Sequence, residues 1–440
     1  MIPAPGCQVN NTIREIEPIA GPVDISITPP GSKSITNRAL LCAALASGNS
    51  TLTGVLDSDD TRVMIEGLRA VGAEIVHDKT ACKISLNGIG GVRETGNAVS
   101  EVEIDVEGSG TTIRFLTAAL TAIGGSFRLD GIERMRSRPI GDLVEALEQL
   151  GGGVRCEGNE HCPPVAIQSN GLAGGTAVVG SNISSQYLSG LLMAAPLAKS
   201  PVVLTVDGEL VSRPYVEMTI SVMNSFGVTV DVNDEFSQFS IQPQAYSPIE
   251  YAIEPDASAA SYFWAAAAIC GGTAEVHNLT RNSLQGDVGF VDCLEQMGCE
   301  VEHRENSIVV SGPAKRAIDV DMGNISDTVQ TLSAVALFVP GTTKISNIAH
   351  NRVKETDRIS DLATELRRLG ADIVEHHDAM EIGCDQLRAA EIETYNDHRM
   401  AMSLSLVGLR QPGVVIKDPS CVAKTYPNYF SEMDRVLNRV

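Results

Sequence analysis

Residues 115–168 read FLTAALTAIGGSFRLDGIERMRSRPIGDLVEALEQLGGGVRCEGNEHCPPVAIQ, and the pattern within them recurs six times along a chain of 440 residues. The stretch gives an uncharged apolar helix (FLTAALTAI), a short strand (SFRLDG), a loop, an amphipathic helix (IGDLVEALEQLGG) and two further strands (VRCE, VAIQ). Ahead of each apolar run stands a segment dense in Ser, Thr, Gly, Asp, Lys or Arg. These segments lie near Ser34, Thr111, Ser185, Ala257, Asp327 and Asp397, at spacings of 77, 74, 72, 70 and 70 residues. Turn residues keep the same phase at Gly54, Gly131, Gly208, Asn278, Asn347 and Asp418, and the second helix closes at Gly72, Gly151, Gly227, Gly298 and Gly370. A glycine just past a helix predicts a left-handed C′ cap. Runs such as YLSGLLMAAPLA and SYFWAAAAIC leave no polar face wide enough for solvent, whereas the strands alternate in part. The expected fold class is α/β, with helices inside and sheets outside.

Length and a 43% hydrophobic content predict two or three domains. Three units per domain is the natural division, and prolines punctuate PPGSK near Pro30 and IEPDAS near Pro255 just before lead-in segments. Residues 1–29 plus 254–440 are therefore expected to form one domain, an N-terminal strand with repeats 4–6. Residues 30–253 form the other, repeats 1–3. The stretch TIREIEPIA then completes the sixth unit, and two connecting strands permit hinge closure over a cleft.

A net charge of −22, from 55 acidic and 33 basic residues, opposes nucleic acid and anionic membrane as partners. Ten cysteines include no CxxC pair and no zinc spacing; Cys156 and Cys162 flank His161 without further ligands nearby. Reduced thiols in a cytoplasmic protein are expected. MIPAPGCQVN lacks the basic start and apolar core of a secretory leader, and the uncharged run Ala257–Ala274 reads as a buried helix rather than a membrane span.

Helix N-termini bind anions through unpaired N–H groups and a partial positive charge. Here such ends carry extra donors: Lys33, Ser34 and Arg38 in GSKSITNR, Gly110 and Arg114 in GSGTTIR, Ser184, Ser185 and Gln186 in SNISSQ, Arg399 in YNDHR. The loop before the second helix adds Arg138, Ser212 with Tyr215, Lys354 with Arg358, and Lys424. Taken singly these are ordinary. Ser34, Ser184 and Asp327 read as N-caps, Lys33 as a turn lysine, RVKETDR as a charged first turn, His398 as a structural histidine. Asp59, Asp60, Asp256 and Asp287 read as loop caps or braces. Their joint phase in an acidic protein describes a site for more than one anionic group.

The strings PGSKSITNRAL, SRPIGDLVEAL, SSQYLSGLLMAAPL, VSRPYVEMT, PDASAASYF, RNSLQGD, RVKETDR, YNDHRMAM and AKTYPNYF, in order from about Pro30 to Phe430, resemble the 5-enolpyruvylshikimate-3-phosphate synthases, or 3-phosphoshikimate 1-carboxyvinyltransferases. The resemblance implies a two-domain inside-out α/β barrel of six repeated units, three per domain, closing on substrates held between the halves. It implies transfer of the enolpyruvyl group of phosphoenolpyruvate to the 5-hydroxyl of shikimate 3-phosphate, with phosphate released, on the way to chorismate and the aromatic amino acids. By resemblance, phosphoenolpyruvate contacts Lys33, Gly110, Arg138, Gln186, Arg358, Arg399 and Lys424. Shikimate 3-phosphate contacts Lys33, Ser34, Arg38, Ser184, Ser185, Gln186, Ser212, Tyr215, Asp327 and Lys354. Asp327 is the expected base for the hydroxyl; Glu355 is the leading acid toward the methylene carbon, with Lys33 the alternative. No metal or organic cofactor is expected, and a monomer is. Shikimate 3-phosphate is expected to close the halves and so create the phosphoenolpyruvate site.

The chain departs from the family pattern in three places. It has Gly108, Ser109, Gly110 and Thr111, then Arg114 and Phe115, where Asn-Ala-Gly-Thr and a later Arg-Pro are usual. His350 replaces an Asn that commonly contacts the shikimate phosphate, and Ser326 replaces a Pro. Glyphosate sensitivity is left open by these changes. The sister enzyme acting on UDP-N-acetylglucosamine usually carries a reactive Cys before the Arg-Pro of the second unit, but DGIERMRSRPI has none. A non-catalytic anion-binding repeat protein would be expected to lose Asp327 or Glu355, and both are present.

Overall fold

A computed structural model describes residues 13–91, 101–180, 184–208 and 210–438; the first twelve residues, on which the reading of a missing leader rests, lie outside the described residues. The first helices of the six units span Lys33–Leu45, Gly110–Ile123, Ser185–Ala194, Ala257–Cys270, Val329–Ala336 and His398–Ser405. The second helices span Asp59–Ala70, Gly141–Gln149, Arg213–Ser225, Phe290–Gln296, Ser360–Arg368 and Tyr429–Val436. Every residue of Gly110–Ile123 and of Ala257–Cys270, Trp264 included, is buried. Burying one large apolar side chain stabilises by roughly 1.5–3 kcal/mol, so these all-round apolar helices belong at the centre. Among the described residues, no helix is long and apolar enough to cross a membrane. The five glycines that close second helices all have positive φ, from 83° at Gly151 and Gly227 to 102° at Gly370.

Five four-stranded sheets share one plan, and the sixth has three strands among the described residues. In the second unit, Val102–Asp105 runs parallel to Gly125–Asp130, and Val165–Ser169 and then Val154–Cys156 add antiparallel. Strands such as Val23–Ile27 alternate buried and exposed residues, one face on the helices and one on solvent. Units one and four exchange their parallel strands. Val23–Ile27 pairs with Gly272–His277, and Glu250–Ala252 pairs with Ser47–Thr53. Ile13–Glu15 lies antiparallel to Val414–Lys417 in the sixth sheet.

The chain thus crosses twice, and the crossings touch. The Ser32 N–H donates to the Glu254 carbonyl at 2.8 Å, and the Asp256 N–H to the Pro30 carbonyl at 2.8 Å. Gly31 sits between them, where a Cβ would lie 1.8 Å from the Gly54 carbonyl oxygen. Buried apolar residues form two clusters, one running from Ile35 to Ile253, the other joining Ile16–Ile27 to Ala257–Val436.

Candidate active site

The six first-helix N-termini face the space between the two clusters; five line one cavity, and the fourth unit's, at Asp256 and Ser258, lines a small neighbouring one. Ser32, Ser109, Ser184, Asp256 and Asp397 cap five of them by accepting a first-turn N–H. In the fifth unit a 3-10 turn, Ser326–Thr328, precedes the helix and no side chain caps it. Asp327 therefore spends its carboxylate on the cleft instead. Ser34, read singly as a cap, lies inside its helix, whose cap is Ser32; of the three residues so read, only Ser184 caps. RVKETDR is not a first helical turn either, since its helix starts at Ser360.

One cavity is lined by Lys33, Ser34, Gly110, Arg138, Ser184, Ser185, Gln186, Ser212 and Tyr215 from the Ile35–Ile253 side, and by Asp327, Lys354, Glu355, Arg358 and Arg399 from the other. Lys424 lines an adjoining cavity that shares Asp60, Arg138 and Glu355 with the first. Arg38 is the expected contact that does not line it. Its buried guanidinium donates to Thr219 Oγ1 (2.7 Å), the Ser34 carbonyl (2.9 Å), the Tyr215 carbonyl (3.2 Å) and Ser189 Oγ (3.3 Å), bracing the wall from behind.

The lining carries six cations, Lys33, Arg114, Arg138, Lys354, Arg358 and Arg399, against three carboxylates, Asp60, Asp327 and Glu355. Asp327 accepts from Lys354 Nζ (2.7 Å), Arg399 Nη2 (2.7 Å) and Arg358 Nη1 (3.2 Å). Burial pushes its carboxyl up, but Arg399, Lys354, Arg358 and Lys33 outweigh that and hold it well below the usual carboxylate range. Glu355 lies 2.9 Å from Arg358, 3.8 Å from Lys424 and 3.9 Å from Arg138. Burial opposes its ionisation too, and the charges of Arg358, Arg138 and Lys424 again hold it well below its ordinary value. Arg358 is fixed from behind by Asp397, at 2.6 and 3.1 Å. Nε of Arg114, Arg138 and Arg399 and both ring nitrogens of His398 are buried with no hydrogen-bond partner. Burial foremost lowers His398 well below its ordinary value, so its ring is neutral, with one donor and one acceptor nitrogen.

Several residues do more than single-residue reading gave them. Asp60, read as a brace, stands 3.6 Å from Lys33 Nζ and 3.4 Å from Lys424 Nζ. Asp287 accepts from Ser258 and, at 3.3 Å, from the Tyr215 hydroxyl, which also reaches Asp327 at 3.4 Å. Burial foremost, with the Asp327 charge, pushes Asp287 up to about 6. Gln186 is aimed by Arg114 Nη1 (2.7 Å) and Thr111 Oγ1 (3.1 Å). His350 lies in the wall 3.4 Å from Ser212 Oγ, and burial foremost lowers it to about 3, so it is neutral. Ser326, where a Pro is usual, accepts from Lys354 Nζ at 2.9 Å, and Phe115 packs beneath the Arg38 guanidinium at 5.2 Å. These pairings join residues tens to hundreds of positions apart, and spacing alone carries no trace of them.

Apolar helices enclosed by six sheets, two crossing strands and a cationic cleft define an inside-out α/β barrel built around small anions. A family model described as EPSP synthase (3-phosphoshikimate 1-carboxyvinyltransferase) matches residues 16–433. A 3-phosphoshikimate 1-carboxyvinyltransferase of Shewanella amazonensis is 48% identical over 421 residues, 94% of this chain and 97% of that one. One from Nostoc punctiforme is 45% identical, over 97% of this chain and 99% of its own length. A solved EPSP synthase from Acinetobacter baumannii superimposes with a TM-score of 0.79 at 25% identity, covering 96% of this chain and 97% of that one. The chain belongs to the EPSP synthase family.

Proposed function

We propose that this cleft transfers the enolpyruvyl group of phosphoenolpyruvate to the 5-hydroxyl of shikimate 3-phosphate and releases inorganic phosphate. The carrying observation is the lining itself: six cations against three carboxylates, within a chain of net charge −22. Two substrates bearing two phosphates and two carboxylates suit that excess, with guanidinium groups offering paired donors to each. Shikimate 3-phosphate is assigned to Lys33, Ser34, Ser184, Ser185, Gln186, Ser212, Tyr215 and Lys354, beside Asp327, with Arg38 bracing Ser34 and Tyr215. Phosphoenolpyruvate is assigned to Lys33, Gly110, Arg138, Gln186, Arg358, Arg399 and Lys424.

Asp327, ionised at neutral pH, is the base that takes the proton of the attacking hydroxyl as its oxygen bonds to C2 of phosphoenolpyruvate. A proton reaches C3 in the same stage, giving a tetrahedral adduct; loss of a C3 proton with departure of phosphate then regenerates the double bond. Glu355 is the proposed acid toward C3. Its cations hold it ionised, so it first takes a proton from solvent, once the substrate's own anionic groups engage Arg138, Arg358 and Lys424 and weaken their hold, and then passes that proton to C3. Cations that remain in place stabilise the charge gathering on the leaving phosphate.

Residues 30–253 are proposed as one domain and 1–29 plus 254–440 as the other, in a cytoplasmic monomer. Phosphate release tests the reading. Both substrates together should release phosphate at a steady rate, and UDP-N-acetylglucosamine in place of shikimate 3-phosphate should release none. Release with the nucleotide sugar alone would reverse the assignment of acceptor.

A further inference from the structure

Arg134 lies in the loop between Gly125–Asp130 and Gly141–Gln149, exposed on the side of the cleft that carries Lys33. Its guanidinium crosses to the other side, where Nε donates to the Glu355 carbonyl at 3.1 Å and Nη2 to the Lys354 carbonyl at 3.0 Å. The side chains of those two consecutive residues part toward different ends of the cleft: Lys354 reaches Asp327, while Glu355 reaches Arg358, Lys424 and Arg138. The peptide that Arg134 grips is thus the branch point between the base and the proposed acid.

That peptide has little other support. It follows the 3-10 turn Ala349–Val353 and precedes the helix at Ser360, and Lys354 has φ −83° and ψ −148°, outside any helix. Among the described residues, no backbone N–H donates to either carbonyl. On its own side the segment is moored by Arg352, which holds Asp357 (2.8 and 3.1 Å) and the carbonyls of His376 (2.6 Å) and His377 (2.8 Å). Arg136, two residues from Arg134, stays on its own side of the cleft with Asp130, at 2.9 and 2.7 Å.

We infer that Arg134 is a positioning residue for the transfer: reaching across the closed cleft, it fixes the Lys354–Glu355 peptide and so aims both side chains at the reacting atoms. A main-chain target makes the grip independent of the protonation of Lys354 and Glu355. The inference rests on the function proposed above. A small misplacement of acid and base lowers the rate steeply, so the effect belongs to turnover rather than to folding.

The test compares the full-length parent with Arg134→Ala and with Arg136→Ala as the control. Two readouts are taken, both at saturating shikimate 3-phosphate: hydrogen exchange of amides 350–358, and kcat/KM for phosphoenolpyruvate. Arg134→Ala should exchange faster over that segment and lose about tenfold or more in kcat/KM with its thermal midpoint unchanged, while Arg136→Ala matches the parent. Either readout left at the parent value in Arg134→Ala, or an equal loss in Arg136→Ala, would overturn the inference. A parent without turnover would bring down the functional reading instead, with exchange still reporting whether Arg134 holds the segment.

Discussion

Asp327 occupies the one lead-in position where the carboxylate or hydroxyl of the chain does not cap a first helix, and three cations surround it instead. Replacing it with Asn keeps the shape and removes the base. Asp327→Asn should lower kcat by about 10²-fold or more while calorimetry shows shikimate 3-phosphate still bound. Gly110 makes a second prediction, because a Cβ there would lie 2.7 Å from Arg138 Nη2 and 2.8 Å from Arg114 Nη1. Gly110→Ala should raise KM for phosphoenolpyruvate about tenfold with a smaller change in kcat, by displacing guanidinium groups that the substrate needs. Asp287 gives a pH dependence. Its folded pKa, about 6, lies above the unfolded value of 3.8, so its contribution is fully present below pH 3.8 and is lost as pH rises through 6. Asp287→Asn removes the penalty of an ionised buried group and should raise the thermal midpoint more at pH 8 than at pH 5. The cationic members of the site were legible because an acidic chain had gathered them at phased positions. Asp60 and Asp287 were not, since their partners Lys33, Lys424, Ser258 and Tyr215 reach them only through tertiary packing. Nor were the contacts of Arg38 with Thr219 and Ser189, which lie more than 150 residues away in the chain.

At the scale of elements, repeated chemistry wrote most of the fold openly. Glycines past the second helices and Ser or Asp before the first ones are local needs of a helix, so phase in sequence became phase in space. The fifth unit breaks the rule, and Asp327 could not be told from a cap by its position alone. Strand exchange between units one and four depends on contacts more than 200 residues apart, for which the prolines near positions 30 and 255 were the sole sign. The crossing admits a sharp test. Gly31→Ala sets a methyl group on the Gly54 carbonyl, which cannot yield without disturbing the pairing around it. Denaturant unfolding should show a loss of roughly 1–3 kcal/mol or more; an unchanged midpoint would mean that the crossing strands are not packed this closely.

For the whole molecule, the cleft is a property of two halves brought together. Lys424 donates to the Gly108 carbonyl at 2.8 Å, Ser212 to the Gly323 carbonyl at 3.2 Å, and Arg134 to the carbonyls of Lys354 and Glu355. Lys33 and Arg138 from one set of units and Arg358 and Arg399 from the other line one cavity in this closed arrangement. The measurement that bears most directly on this is small-angle X-ray scattering of Asp327→Asn saturated with both substrates, where chemistry is blocked and calorimetry confirms that each is bound. The scattering curve should coincide with the one given by this closed structure. A more extended particle, with the halves standing apart while both substrates are bound, would contradict it.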